Sequence, residues 1–203
     1  GQEAQSIYQE LVKKHPNSYD SKFVASTNNL SRCLIELKFY DEAIEQAENS
    51  VVFCRNLVKN NQALHAPRLA ESLNVISVAL TKHGKYNLAL PAIQEATDIY
   101  RDLIENDPDS YTPDFAVSLN NLALVLSKTA TYDQSLATFH EATAVYRSLS
   151  ANNPHLFSEN YVNALRSCME FYEQHGHKKA AARIRQERNA VLKRMKEMEE
   201  GDA

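Results

Sequence analysis

The side chains that could bind a metal or act in catalysis are scattered along this sequence. Histidine is the commonest metal ligand, and His83, His175 and His177 fall near candidate turns. His83 and His175 are 92 residues apart, which is twice the 46-residue repeat of this chain. We therefore expect them at equivalent turns, far from each other. His140 is expected on a second helix, without a cysteine or carboxylate cluster around it. The other three histidines predict turn positions, and none of the four predicts a metal site.

Motifs of catalysis and of nucleotide binding are missing from the sequence. The chain has only 4 glycines. It contains no glycine-rich phosphate loop, no G-x-S-x-G nucleophile motif and no H-E-x-x-H zinc motif. We therefore expect neither an enzyme nor a protein that holds a cofactor.

Asparagine is the polar side chain that recurs in a regular setting. The segments SLNNLA at 118–123, TNNLS at 27–31 and SLNVI at 72–76 place amides inside apolar runs with a helical pattern. Asparagine is unfavourable inside helices, because its amide competes for nearby backbone hydrogen bonds. The recurrence therefore needs a structural explanation or a binding function.

The whole chain repeats itself every 46 residues. Tyr40, Tyr86 and Tyr132 are 46 residues apart, and so are Pro67 and Pro113. We call a set of residues that stand 46 positions apart a column. Four columns keep an apolar or small residue in every repeat, without any insertion or deletion. They are Ile7, Phe53, Ile99 and Val145; Leu11, Leu57, Leu103 and Leu149; Leu30, Ile76, Leu122 and Cys168; and Ala43, Ala89, Ser135 and Ala181. Self-similarity at a fixed period of 20–50 residues indicates a repeat architecture.

Each repeat contains two helical patterns, which predicts an all-α fold. In the third repeat, Thr112 precedes Pro113 as an N-cap precedes a proline at the first helical position. The pattern breaks near Ala130, where other repeats carry Gly84 and Gly176 as C-terminal stops. We predict first helices near 20–37, 66–83, 112–129 and 158–175, second helices near 42–60, 88–106, 134–152 and 180–199, and a leading helix at 3–14.

The period also predicts the domain organisation. Residues 1–203 are expected to form one array of four helix pairs, at 15–60, 61–106, 107–152 and 153–199. Residues 1–14 match a second helix that lacks its first helix, so we expect a part of a longer protein. The last helix is rich in Lys, Arg and Glu, and we expect it to cap the stack.

Charge and cysteine content narrow the function further. The net charge is −4, which argues against a nucleic-acid surface, although residues 178–203 carry a local excess of basic residues. No apolar run approaches the length of a membrane span. Cys33, Cys54 and Cys168 lie among apolar helical residues without a CxxC spacing. They predict buried, reduced thiols and therefore an intracellular protein.

The third repeat resembles the tetratricopeptide repeat (TPR) family. The residues that carry the likeness are Leu122, Ala123, Leu126, Ala130, Tyr132, Ser135, Phe139 and Ala142, and the second repeat matches them with Ile76, Ser77, Leu80, Gly84, Tyr86, Ala89, Ile93 and Ala96. Long repeats that begin SLNNLA and continue with IYRDLI look like the kinesin-light-chain type. They look still more like arrays in fungal and bacterial signalling proteins of the NACHT-type NTPase class.

The sequence departs from the family pattern in two respects. The usual family period is about 34 residues, which is shorter than the period of this chain. The fourth repeat has Lys178 and Arg185 at columns that are aromatic or small elsewhere. Because the repeats of this chain are longer, the ligand-contact positions of the family correspond less directly to positions in this sequence.

The resemblance implies a right-handed α-solenoid of antiparallel helix pairs, whose first helices line a concave groove. Asn28, Asn74 and Asn120 share one position on those helices, and Arg166 continues the row. A row of amides suits an extended peptide, because each amide can donate to a backbone carbonyl and accept from an N–H. The expected peptide-binding residues are Asn28, Arg32, Glu71, Asn74, Asn120, Lys128, Asn163 and Arg166. The expected function is that of a scaffold that binds a protein or peptide.

Other interpretations stay open at this point. The amides, Asn29 and Asn121 above all, can instead bond to a neighbouring helix and set the repeat angle. The array can also act as a structural, autoinhibitory or oligomerisation module, which exposed apolar side chains at Ile7, Tyr8 and Leu11 would favour. An RNA-reading helical repeat is a third alternative, which the acidic balance disfavours.

Overall fold

The computed structural model describes residues 2–15, 18–129 and 131–201. Within these residues the chain forms nine α-helices and no strand, so the predicted all-α fold is confirmed. The helices are α1 Gln2–Lys14, α2 Asp20–Glu36, α3 Tyr40–Asn60, α4 Gln62–Lys82, α5 Tyr86–Asn106, α6 Pro108–Thr129, α7 Tyr132–Asn152, α8 Pro154–Gln174 and α9 Lys178–Gly201.

The starts of the second helices follow the period of the sequence. Tyr40, Tyr86 and Tyr132 are the first residues of α3, α5 and α7. The Tyr132 ring is half-buried and stacks on Phe171 of α8, with ring centroids 5.2 Å apart. The tyrosine therefore contacts the following helix pair as well as beginning its own helix.

The first helices begin earlier than predicted. Helices α4, α6 and α8 start about one turn before 66, 112 and 158. Pro67 and Pro113 therefore lie inside α4 and α6 and do not begin them. A proline at the sixth residue of a helix removes one backbone hydrogen bond near the N-terminus, and its ring crowds the carbonyl four residues earlier. Asn61 caps α4, since its side-chain oxygen accepts a hydrogen bond from the Leu64 N–H at 3.2 Å.

The predicted helix stops at Gly84 and Gly176 are confirmed. Both residues have positive φ, 83° and 77°. The following N–H closes a C-terminal cap on the last helical turn, as Lys85 N does with the Leu80 carbonyl at 2.8 Å. Lys38 adopts the same conformation, with φ 65°, at the equivalent position of the first repeat. The third position of this set, Ala130, lies outside the described residues.

This repeated stop predicts two substitutions of opposite sign. Lys38→Gly is expected to raise the free energy of unfolding by about 1 kcal/mol, because a left-handed backbone disfavours any residue with a Cβ. Gly84→Ala is expected to lower it by about 1–2 kcal/mol for the same reason. A Cβ at Gly84 would meet no atom within 4 Å, so the loss comes from the backbone conformation. Urea unfolding measures both, and changes of equal sign would contradict the assignment.

The chain divides into two compact units, Gly1–Pro108 and Asp109–Ala203. We call them the N-terminal and the C-terminal unit. The division falls at the beginning of the third repeat predicted from the sequence. In the N-terminal unit the core is formed by fully buried side chains from four successive helices, among them Val24, Ala47, Leu73 and Ile93.

The C-terminal unit has two apolar clusters, one around the middle of α8 and one around its C-terminal end. One contains Ala116, Tyr146, Tyr161, Leu165 and Val191. The other contains Ala123, Phe139, Cys168, Phe171 and Ala181. Each cluster combines large side chains with alanines, which let adjacent helices approach closely.

The prediction of three buried thiols is wrong for Cys33. Cys54 and Cys168 are fully buried, but Cys33 is exposed on α2. The repeat explains the difference. Phe171 stands at the column of Cys33 and is covered by Tyr132 and Phe139 of the preceding second helix. Among the described residues, none stands at the positions that would correspond to Tyr132 and Phe139 for Cys33.

Thiol reactivity is therefore expected to differ sharply within one chain. Burial raises the pKa of Cys168 to about 12 and raises that of Cys54 above its ordinary value. The thiolate is the reactive form, so at pH 8 a disulfide reagent should label one thiol fast and two slowly. Cys33→Ser should abolish the fast phase. Fast labelling that persists in this variant would contradict the assignment.

Candidate functional site

The amide row predicted to face a ligand is largely buried. Asn28 on α2 has no exposed surface, and Asn74 on α4 is 7% exposed. Asn120 on α6 is half-buried. The prediction that these amides are solvent-accessible is therefore wrong for Asn28 and Asn74. Ligand contact by either would need the helices to separate.

Asn28 belongs to a buried hydrogen-bond network of α2, α3 and α4. Its Nδ2 donates to Ser72 Oγ at 3.3 Å, and Ser50 Oγ lies 2.9 Å from the same oxygen. Ser72 Oγ lies 2.9 Å from the Arg68 carbonyl, to which it donates its one proton. Ser72 must then accept from both Asn28 and Ser50. One serine thus joins side chains of three helices.

In the N-terminal unit, Asn28, the first asparagine of the doublet, is the one that bonds to a neighbouring helix. Asn29, to which the sequence assigned that role, is exposed. The Oδ1 atom of Asn28 has no hydrogen-bond partner in the part of the chain that the structure describes. Such an atom costs stability when buried, so the network does not satisfy this side chain completely. The bond that Asn28 makes is to a side chain rather than to the backbone of the neighbouring helix.

Stability measurements should separate the two asparagines. Asn28→Ala is expected to lower the free energy of unfolding by about 1–2 kcal/mol, through a lost hydrogen bond and a small cavity. Asn29→Ala is the matched control, and an exposed change should stay within about 0.5 kcal/mol. Thermal and urea unfolding of both variants give the comparison. Equal effects of the two substitutions would contradict the burial of Asn28.

In the N-terminal unit, contacts between first helices occupy the predicted charged residues. Arg32 Nη2 on α2 lies 3.2 Å from Glu71 Oε1 on α4. Arg68 on α4 donates to Ser21 Oγ on α2 at 2.5 Å. Both contacts lie near solvent, so each contributes little to stability. The first contact nevertheless engages Arg32 and Glu71, the two charged groups of this unit that the sequence assigned to a ligand.

In the C-terminal unit the corresponding face is open. Asn163 and Arg166 on α8 and Lys128 on α6 are exposed. Arg166 and Lys128 form no ion pair or hydrogen bond with any other residue that the structure describes. Val117 and Leu124, two turns apart on α6, are 39% and 36% exposed. This surface combines apolar side chains with two cations, and we call it the α6–α8 face.

The repeat register shows why the two units differ. Two repeats after Arg32 and Glu71 stand Leu124 and Asn163, which cannot form the ion pair. The position of Ser72 is taken by Ala164, a buried residue without a side-chain oxygen. Asn120 therefore lacks the serine partner that Asn28 has. Its buried Oδ1 finds no hydrogen-bond partner within the described residues.

A second set of charged contacts lies on the second helices and was missed in the sequence. Arg55 on α3 donates to both oxygens of Glu95 on α5, at 2.8 and 2.5 Å. This bond raises the pKa of Arg55 above its ordinary value. Arg147 on α7 bonds Glu187 on α9 at 2.8 Å in the same register. The signal was available, because arginine recurs at 55, 101 and 147 and glutamate at 95, 141 and 187.

The histidines hold turn positions, as predicted. His83 follows α4, and its Nε2 lies 3.0 Å from Asp41 Oδ1. This bond is the main cause of the lowered pKa of Asp41, with Lys85 as a second cause. His175 and His177 flank Gly176 and pack on the Tyr132 ring. Among the described residues, no three His, Cys, Asp or Glu side chains converge as metal ligands.

The sequence matches known protein-family models in two segments. Two family models described as tetratricopeptide repeat match the sequence, one at residues 115–155 and one at residues 2–18. The chain contains tetratricopeptide repeats. The predicted family is thus confirmed, and the second match includes α1. No curated protein matches the sequence.

Several solved structures have a fold similar to that of this chain. BtubC (BKLC) from P. vanneervenii has a TM-score of 0.74 at 14% identity, covering 96% of this chain and 74% of that chain. A Podosopora anserina protein described by "kinesin light chain nearly identical TPR-like repeats" has a TM-score of 0.62 at 17% identity, covering 96% of this chain and 88% of that chain. A singly substituted form of that protein has a TM-score of 0.65, also at 17% identity, covering 97% of this chain and 88% of that chain. At these identities the likeness shows the fold, an all-α arrangement of TPR helix pairs.

No helix in the described residues has both the length and the apolar character that a membrane span requires.

Proposed function

We propose that this chain is a protein-binding scaffold and that a peptide segment of its partner docks on the α6–α8 face. One observation carries the proposal. The α6–α8 face exposes Val117 and Leu124 together with cations that pair with no described residue, whereas in the N-terminal unit an ion pair joins Arg32 and Glu71, at the positions of Leu124 and Asn163. A single exposed leucine has no special meaning. Two apolar side chains on one helix face, with Lys128 and Arg166 nearby, define a surface that a ligand can recognise.

The chemistry of this face predicts the chemistry of the partner. Val117 and Leu124 would take apolar side chains, because each still has more than a third of its surface left to bury. Arg166 and Lys128 would attract acidic residues and steer their approach. Asn163 and Asn120 can donate to backbone carbonyls. The preferred ligand is therefore a short segment that combines apolar and acidic residues.

Four of the eight residues predicted from the sequence remain in this site, and the other four leave it. Asn28 and Asn74 are buried, and Arg32 and Glu71 are engaged with each other. We further propose that the helix pairs belong to one array within a larger intracellular signalling protein. The sequence resemblance supports that wider context, and the fold of the solved structures supports only the arrangement of helix pairs.

Peptide selection gives the test. Peptides selected from a displayed random library against the wild-type chain are measured for affinity on two variants. Leu124→Glu is expected to weaken binding at least about tenfold, because it places a charge in the apolar part of the site. Leu88→Glu is the matched control, since Leu88 is 61% exposed on α5, a second helix. Unchanged affinity in Leu124→Glu, or equal loss in both variants, would contradict the proposal.

The alternative function, self-association through α1, has weaker support. Ile7 is 54% exposed, as that alternative requires, but Tyr8 and Leu11 are already half-buried. Of the three side chains on which this alternative relies, Ile7 is the exposed one. Sedimentation of the wild type and of Ile7→Glu decides the point. A concentration-dependent dimer that the substitution abolishes would favour this alternative.

A further inference from the structure

A cavity in the C-terminal unit lies away from the α6–α8 face. It has a volume of about 410 Å³ and is bounded by α7, the first two turns of α8 and the second half of α9. Ligand pockets for small molecules typically measure about 300–1,000 Å³. The cavity is therefore large enough for a small organic molecule.

Hydroxyl groups form the polar part of this cavity. Ser150 Oγ on α7 lies 2.9 Å from Ser158 Oγ on α8. Ser158 and Tyr161 are both more than nine-tenths buried and line the cavity. The Tyr161 hydroxyl accepts from Arg147 Nε at 2.9 Å and donates to the Glu187 carboxylate. Two helices thus hold the Arg147 guanidinium in a fixed position at the cavity.

The cavity also carries a positive charge that no described residue neutralises. The Glu187 carboxylate neutralises the Arg147 guanidinium, whose Nε and Nη2 atoms it contacts. Arg194, which also lines the cavity, has no hydrogen bond or ion pair to another residue in the described ranges. The acidic group of the lining, Glu197, lies 3.5 Å from the ammonium group of Lys193. A guanidinium without a partner is suited to bind a carboxylate or phosphate through two hydrogen bonds.

Part of the polar lining, Ser150 and the Tyr161 hydroxyl, belongs to this repeat and is not part of the repeated framework. Ser150 stands at the column of Val58 and Ile104, which are apolar. Tyr161 replaces Phe115, so the hydroxyl that fixes Arg147 is absent from the preceding repeat. Residues that serve only the stacking of helix pairs are expected to recur at the repeat period. The hydroxyls of Ser150 and Tyr161 do not recur, so stacking alone does not explain them, whereas Ser158 has a hydroxyl residue, Thr112, at its column in the preceding repeat.

We propose that this cavity binds a small organic anion with a carboxylate or phosphate group and a short apolar part. The anionic group bonds Arg194 and one hydroxyl of the Ser150–Ser158 pair, because the bond between the two serines uses the proton of the other. The apolar part packs on Val191 and Met198, which line the same cavity. The site goes beyond the proposed scaffold function, because it uses α7 and α9 rather than the α6–α8 face.

Methyl NMR tests the site with simple probes. The three methionines are labelled with ¹³C in their methyl groups and titrated with butyrate, inorganic phosphate or neutral butyramide. We expect a saturable shift of the Met198 signal with butyrate, with phosphate or with both, which identifies the preferred anion. Met169 is buried in the other cluster of this unit and serves as the internal reference. Butyramide should bind at least about tenfold more weakly, since it lacks the charge that strengthens the hydrogen bonds.

Two arginine substitutions complete the design. Arg194→Gln should weaken binding of the preferred anion at least about tenfold, the loss expected for a charge-assisted hydrogen bond. Arg183→Gln makes the same charge change on an exposed residue of α9 outside the cavity. It should leave the affinity unchanged. Equal loss in both variants, equal binding of butyramide, or no saturable shift below about 10 mM would overturn the proposal.

Discussion

The structure depends on the close approach of each first helix to its second helix at one small residue. Ala43, Ala89, Ser135 and Ala181 hold this position in the four repeats, and each is at most 2% exposed. In the first repeat, Ser31 Oγ on α2 reaches the Ala43 carbonyl on α3 at 2.8 Å, which shows how near the two helices lie. A larger side chain would force the pair apart, because interiors are close-packed and overpacking costs about 1–3 kcal/mol. The burial of the other core columns depends on this spacing.

Once the helix pairs are closed, each position on a first helix either faces another helix or remains open to a partner. In the N-terminal unit, Asn28 and Ser72 turn a potential binding surface into an internal bond. Near solvent, Arg32 and Glu71 likewise bond to each other, so their charges are engaged within the chain. Among its described residues, the C-terminal unit has neither contact at the corresponding positions. Its exposed leucine and its two cations are thus available, which is why the binding proposal concerns this unit.

Much of the fold could be predicted because the residues that determine it recur at a fixed interval along the sequence. A 46-residue period survives across columns of apolar and small residues, and the stops at Gly84 and Gly176 follow from the need for positive φ. The starts of the first helices could not be placed, because Pro67 and Pro113 look like first-turn prolines. Their helices extend one turn further and tolerate the loss of one backbone bond.

The site was harder to predict, for a geometric reason. Neighbouring residues on a helix point about 100° apart, so a doublet such as Asn28 and Asn29 has one member toward the core and one toward solvent. Composition does not say which member is buried. The answer depends on the partner helix, where Ser72 offers an acceptor. The exposure of Cys33 could not be predicted for the same reason. It depends on the side chains that pack against this position and not on the residue types at its column.

The central claim is that a partner docks on the first helices of the C-terminal unit and not on the second helices. Hydrogen–deuterium exchange of the chain, with and without a selected peptide, tests it most directly. We predict slower exchange in α6 and α8 upon binding, centred on the turns that carry Leu124 and Arg166, with no change in α3 or α5. Protection confined to α3 and α5, or to α1, would contradict the account.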